Sequence, residues 1–206
     1  MRRAAGIAPA PARDAMSAPR PSSSAKELGR PIAMVGMMGA GKSAIGRRLA
    51  QRLGVPFVDA DAEIERAAGA TIAEIFDKHG EAAFRDGERR VIARLLDGPP
   101  GVLATGGGAF MDPETRARIK SRAITVWLKA DLDTLVERVS RRGHRPLLRN
   151  GDPREILARL MAQRDPIYGE ADITVETGHA PTAATVERVI EALAAFRARA
   201  AAERPA

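Results

Sequence analysis

The octet Gly36-Met37-Met38-Gly39-Ala40-Gly41-Lys42-Ser43 meets the pattern G-x-x-x-x-G-K-[ST] at every fixed position. It lies between an apolar run, Ile32-Ala33-Met34-Val35, and a segment with helical periodicity. Few local patterns restrict a fold so tightly. The glycines let consecutive backbone N–H groups turn inward around phosphate oxygens, and the helix that begins there adds partial positive charge. The motif therefore calls for a strand, a tight loop and a helix in that order. Gly39, Ala40, Gly41, Lys42, Ser43 and Ala44 are expected to hold the nucleotide. Lys42 should reach the β- and γ-phosphates, and the Ser43 hydroxyl should carry Mg²⁺.

Downstream, short apolar runs alternate with helical patterns. Strands are expected near 32–35, 56–59, 101–104, 123–128 and 172–176. Helices are expected near 42–53, 61–68, 72–78, 80–96, 113–120, 131–140, 153–165 and 183–199. Thr71 with Glu74 forms a capping box, and Asp112 before Pro113 marks another helix start. The alternation implies an α/β fold of three layers, a five-stranded parallel sheet covered by helices on both faces. Ligands should gather at the carboxyl ends of its strands. At 206 residues the chain suits one domain, taken here as residues 31–200 with a short disordered end at 201–206.

The net charge of +7 suggests nucleic acid as a partner, but residues 1–30 carry six basic side chains against two acids, so most of the excess lies there. The remainder is a mixed surface, and aromatics at 3% offer few rings for bases to stack on, so no nucleic-acid partner is expected. Rich in Ala, Pro, Ser and Arg, residues 1–30 read as a disordered basic tail. Such a leader on a cytoplasmic protein is the expectation, with an organelle transit peptide as the alternative. No apolar run is long enough to span a bilayer. Cysteine is absent, which removes disulfides and thiolate metal sites. No amphipathic surplus asks for a protein partner, so a monomer is expected.

Four further places carry chemistry. Phe57-Val58-Asp59-Ala60-Asp61 sets two carboxylates where the second strand runs out, and alternation by two would face both the same way. One could support Mg²⁺ through water, and the other could orient an attacking hydroxyl or take its proton. Equally, they could cap the following helix. Gly106-Gly107-Gly108 ends the third strand and removes side chains where something must come close. Arg85, after Phe84, and Arg164, in Arg164-Asp165-Pro166-Ile167-Tyr168, could each grip a carboxylate with a two-point fork. Finally, Arg141 to Gly151 is a basic, Gly- and Pro-broken loop that could close over phosphates. Composition and spacing thus reach a kinase of a small hydroxylated anion.

Taken in order, these motifs resemble those of the shikimate kinase family. The likeness runs from about Ile32 to Arg199 and also includes Gly46-Arg47-Arg48-Leu49-Ala50, Ile75-Phe76, Glu88 after Phe84-Arg85, and Arg145-Pro146-Leu147-Leu148. The resemblance implies a nucleoside monophosphate kinase-like fold with a lid. It also implies transfer of the γ-phosphoryl group of ATP to the 3-hydroxyl of shikimate, a step toward chorismate and the aromatic amino acids. By the same likeness Asp61 would hold the acceptor hydroxyl and could act as base. Arg85, Arg164 and the Gly106, Gly107 and Gly108 backbone would hold shikimate, with Phe76 and Phe84 lining the ring and Glu88 supporting Arg85. Lys42 and Arg145 would neutralise the transferring phosphoryl, and Ser43 with Asp59 would manage Mg²⁺. Arg138 would pack on adenine, opposite a loop at Thr177–Thr182. Met37-Met38 falls where the family varies, and residues 1–30 have no counterpart in its compact pattern. A gluconate-type or nucleoside monophosphate kinase would share the loop, sheet and lid but lack the combined acceptor motifs. A catalytically silent nucleotide-binding regulator would bind ATP without turnover.

Overall fold

The structure is a computed structural model and describes residues 29–141 and 151–203. Of the expected basic tail only Gly29 and Arg30 fall within it, and of the loop 141–151 only Arg141 and Gly151. Arg145 lies outside the described residues.

Strand β1 (Ile32–Val35) is fully buried along its length, as a four-residue apolar run must be at the centre of a sheet. The sheet is five-stranded with order β2-β3-β1-β4-β5, formed by β2 (Phe57–Asp59), β3 (Val102–Ala104), β4 (Ile124–Ala130) and β5 (Ile173–Thr177). Every pairing is parallel, with Ile32 beside Val102 on one flank and Ile124 on the other. Among the described residues the connections form helices α1 (Lys42–Leu53), α2 (Ala60–Ala68), α3 (Ile72–Leu96), α4 (Pro113–Arg122), α5 (Leu132–Ser140), α6 (Pro153–Tyr168) and α7 (Thr182–Ala202). A short 3-10 turn at Ala109–Met111 was not anticipated. Helix α7 continues past the expected boundary at residue 200.

Local chemistry sets the helix starts. Thr71 and Glu74 form the expected capping box, each side chain bonding the other's backbone N–H at 3.2 and 2.8 Å. Asp112 and Asp131 cap α4 and α5 by accepting from Thr115 and Thr134 backbone N–H groups at 2.8 and 2.7 Å. Helix α3 carries an internal break at Gly80 (φ 78°, ψ 174°), a conformation essentially reserved for glycine, so the two helices expected at 72–78 and 80–96 are the two arms of one kinked element. Arg30 donates to the Lys120, Ser121 and Ala123 carbonyls at 2.9–3.2 Å, satisfying acceptors at the end of α4. Arg30, expected in the basic tail, is thus bonded to the domain.

The main core is the sheet and its covering helices, including Met34, Leu49, Ile92, Phe110, Leu128 and Tyr168. A satellite cluster of Ile64, Ile75, Phe84 and Val91 joins α2 to both arms of α3 beside the sheet. Asp172 clips β5 to β4, accepting the Thr125 backbone N–H and hydroxyl at 2.8 and 2.7 Å. No helix among the described residues is long and apolar enough to cross a membrane.

Candidate active site

The loop from Gly36 to Gly41 turns over the carboxyl end of β1, and its glycines are sterically required. Gly36, Gly39 and Gly41 have φ of 134°, 84° and 98°. A Cβ on Gly36 would also stand 2.7 Å from the Leu128 carbonyl oxygen. Lys42 is buried at 8% exposure, and its Nζ donates to the Gly36 and Met37 carbonyls at 2.7 and 3.0 Å. The ammonium is thus held at the centre of the cradle.

Asp59 joins the two alternatives left open by its position. It caps α2, with Oδ1 accepting the Asp61 N–H at 3.1 Å, and its Oδ2 accepts the Ser43 hydroxyl at 2.6 Å. Because Asp59 is the N-cap, the helix starts at Ala60 and Asp61 lies in its first turn. The expectation that both carboxylates sit on one face by strand alternation is therefore corrected: the strand ends at Asp59, two residues before Asp61. Ser43 and Asp59 present only hard oxygen donors, the set Mg²⁺ favours when phosphates and waters complete its octahedron. Among the described residues no cluster of three or more His, Cys, Asp or Glu could hold a metal alone.

On the β4–β5 side, Arg138 of α5 crosses to the phosphate loop. It donates to the Gly39 and Ala40 carbonyls at 3.3 and 3.4 Å and to the Gly178 carbonyl at 2.5 Å. The guanidinium is thereby locked as a wall of an opening of about 270 Å³, bordered also by Ala44, Ile45, Ala180 and Thr182. A planar cation on one side and a short loop on the other make a slot suited to a flat base. Arg138 was expected here. Its tie to Gly178 was not, because the partners lie 40 residues apart.

The opposite flank gathers the acceptor candidates around the glycine triplet. A Cβ on Gly106 would meet Glu88 Oε1 at 2.6 Å and Asp61 Oδ1 at 2.8 Å. One on Gly107 would lie 3.9 Å from an Arg164 nitrogen, and one on Gly108 would strike the Arg85 guanidinium at 2.5–2.8 Å. The backbone therefore lies directly against all four charged side chains, which come from α2, α3 and α6. Arg85 pairs with Glu88 at 2.6 Å and with Glu81 at 3.1 Å, and its guanidinium rests 5.1 Å over the Phe84 ring. Phe84 in turn packs on Phe76 at 4.7 Å between centroids.

Burial pushes the Glu88 carboxyl above its usual range; the Arg85 charge and hydrogen bond oppose this, and Asp61 and Asp112 reinforce it. Burial pulls the Arg85 guanidinium down, but its two glutamates more than offset that, so it stays firmly charged. Glu88 Oε1 is buried with no hydrogen-bond partner among the described residues. The flank thus sets two cations, two carboxylates and an aromatic wall beside the phosphate loop, groups that can pair with a carboxylate and hydrogen-bond to hydroxyls. The structure brings together every expected acceptor residue; sequence reasoning assigned no role to Tyr168, whose hydroxyl donates to the Gly107 carbonyl.

A family model for shikimate kinase matches residues 38–194. The chain is 62% identical to the shikimate kinase of Paramagnetospirillum magneticum over 82% of this chain and 87% of that protein. It is 60% identical to the shikimate kinase of Bradyrhizobium diazoefficiens over 81% of this chain and 80% of that one. Among solved structures, shikimate kinase from Acinetobacter baumannii in complex with shikimate superposes with a TM-score of 0.80 at 39% identity, covering 83% of this chain and 97% of that one. With matches of this extent, the chain belongs to the shikimate kinase family.

Proposed function

We propose that this chain performs the family reaction with the residues just described: the γ-phosphoryl group of ATP passes to the 3-hydroxyl of shikimate, giving shikimate 3-phosphate and ADP. The observation that carries this reading is the glycine triplet pressed against Asp61, Glu88 and Arg85, with Arg164 close by, on the flank beside Lys42. Arg85 and Arg164 hold the acceptor carboxylate, and Phe76 and Phe84 flank its ring. Asp61 orients the attacking hydroxyl and receives its proton as the new oxygen–phosphorus bond forms and the β–γ bridging bond breaks. Lys42 exchanges its loop carbonyls for phosphate oxygens and stabilises charge on the transferring group, the main catalytic need of such transfers. Arg138 seats the adenine. By the family likeness Arg145, outside the described residues, would also neutralise the transferring phosphoryl. Mg²⁺, when bound, would supply further neutralisation of phosphate charge, with the Ser43 hydroxyl holding it and the Asp59 carboxylate supporting it through water. On this reading the protein works as a cytoplasmic monomer.

The test is ADP release with Mg-ATP and shikimate, gluconate, AMP or no acceptor in parallel. Turnover confined to shikimate is expected; turnover with gluconate or AMP alone would refute the acceptor. Asp61→Asn should cut kcat by about 10²–10⁴-fold while ATP affinity is kept. Equal loss of ATP binding would remove Asp61 from the acceptor side.

A further inference from the structure

Tyr168 closes α6 and is fully buried. Its ring is stacked between Phe110 and Trp127, with centroids 6.4 and 5.9 Å away. Packing of this kind leaves the phenol one orientation, and its hydroxyl donates to the Gly107 carbonyl oxygen. An Arg164 nitrogen donates to that same oxygen at 3.4 Å. One carbonyl in the middle of the glycine triplet therefore takes two donors, both from the last turn and a half of α6.

The consequence follows from peptide geometry. A trans peptide unit is planar, with its C=O and N–H pointing in opposite directions. Anchoring the Gly107 oxygen toward Tyr168 turns the Gly108 N–H away from it, in the stretch where Gly108 lies against the Arg85 guanidinium. The Ala109 N–H closes a turn on the Gly106 carbonyl at 3.2 Å around this peptide, and glycines leave such a turn conformationally permissive, so the two side-chain donors add the anchor that holds its direction. Burial pushes the Tyr168 phenol up to about 12, so the donor keeps its proton across any ordinary working pH.

We propose that Tyr168 is a positioning residue of the acceptor site: with Arg164 it fixes the Gly107 carbonyl and so aims the Gly108 N–H at the acceptor carboxylate. This rests on the acceptor-site reading above. Tyr168 touches no reacting atom and acts through the loop, so its removal should separate the two substrates.

The test is Tyr168→Phe, which keeps the ring stack and removes only the donor. The shikimate KM should rise about three- to tenfold, the scale of one lost hydrogen bond at a buried acceptor, while the ATP KM stays within about twofold. An unchanged shikimate KM, or an equal rise for both substrates, overturns the proposal. Arg85→Ala and Arg164→Ala run in parallel: if neither weakens shikimate, the acceptor-site reading itself fails. If both weaken it and Tyr168→Phe does not, only the role of Tyr168 falls. Should the variant not fold, the chain's single tyrosine permits a second measurement. Global 3-fluorotyrosine replacement then labels Tyr168 alone, and its fluorine resonance should move when shikimate is added to the ADP-bound protein. A resonance that ignores shikimate overturns the proposal.

Discussion

Replacing Gly106 by alanine would add one methyl group at the most crowded point of the acceptor flank. Its Cβ would lie 2.6 Å from Glu88 Oε1 and 2.8 Å from Asp61 Oδ1. Ordinary carbon–oxygen contacts begin at about 3.3 Å, so each carboxylate must retreat by roughly 0.5–0.7 Å. Glu88 has little room: it is 2% exposed, and its other oxygen is held by Arg85 at 2.6 Å. Its retreat therefore drags the ion pair that shapes the carboxylate grip. On the proposed reading Asp61 orients the attacking hydroxyl, so its displacement misplaces that group, and a misplacement on the order of 1 Å costs about 10²-fold in rate. We expect kcat to fall about 10- to 100-fold with ATP affinity held within about twofold. Overpacking should cost about 1–3 kcal/mol, and at about 2–4 °C per kcal/mol for a chain this size Tm should drop by about 2–12 °C. Steady-state ADP release with shikimate varied, ATP-analogue titration and a thermal melt read the three quantities. A folded Gly106→Ala variant with kcat and shikimate KM both near wild type would refute the argument that the triplet is bare because the carboxylates need the space.

Gly80→Ala should destabilise the protein by about 1–3 kcal/mol, because no L side chain is comfortable at that break, even though nothing crowds the position; an unchanged melt would mean the arms of α3 straighten at no cost. The Tyr168 phenol is raised from 10 to about 12, so its contribution to stability is complete below pH 10 and is lost as pH climbs through 12, about 3 kcal/mol across that window. Absorbance of the single tyrosinate should therefore appear only with alkaline unfolding, and a normal titration near pH 10 in folded protein would contradict the burial.

Much of this architecture is legible in the residues because the strongest signals are local. Four consecutive apolar residues before a glycine loop can only be a buried strand feeding the cradle, and the capping box and Asp112-Pro113 announce their helices within one turn. Gly80 interrupts the pattern just where the backbone breaks. What escaped is nonlocal or competitive. The alternation argument assumed extended backbone as far as Asp61, but the cap formed by Asp59 starts the helix at Ala60. Strand β4 runs two residues beyond 128 because the exposed Lys129, which ends the apolar run, still pairs beside Glu176 of β5. The bonds of Arg138 to Gly178 and of Tyr168 to Gly107 join residues 40 and 61 apart, and only the closed fold brings them together. For the acceptor, residue types reached an anion with hydroxyls, and the family likeness was needed to name it.

Strand order carries one more consequence. The cradle sits on the central strand, the acceptor flank rises over β2 and β3, and the base slot hangs over β4 and β5. Five strands at about 4.8 Å spacing make a crest roughly 19 Å wide. On the proposed reading the acceptor and the base thus occupy opposite ends of this crest, with the phosphate loop between them. On that reading, a single molecule that occupies both ends must cross the Gly36–Gly41 loop.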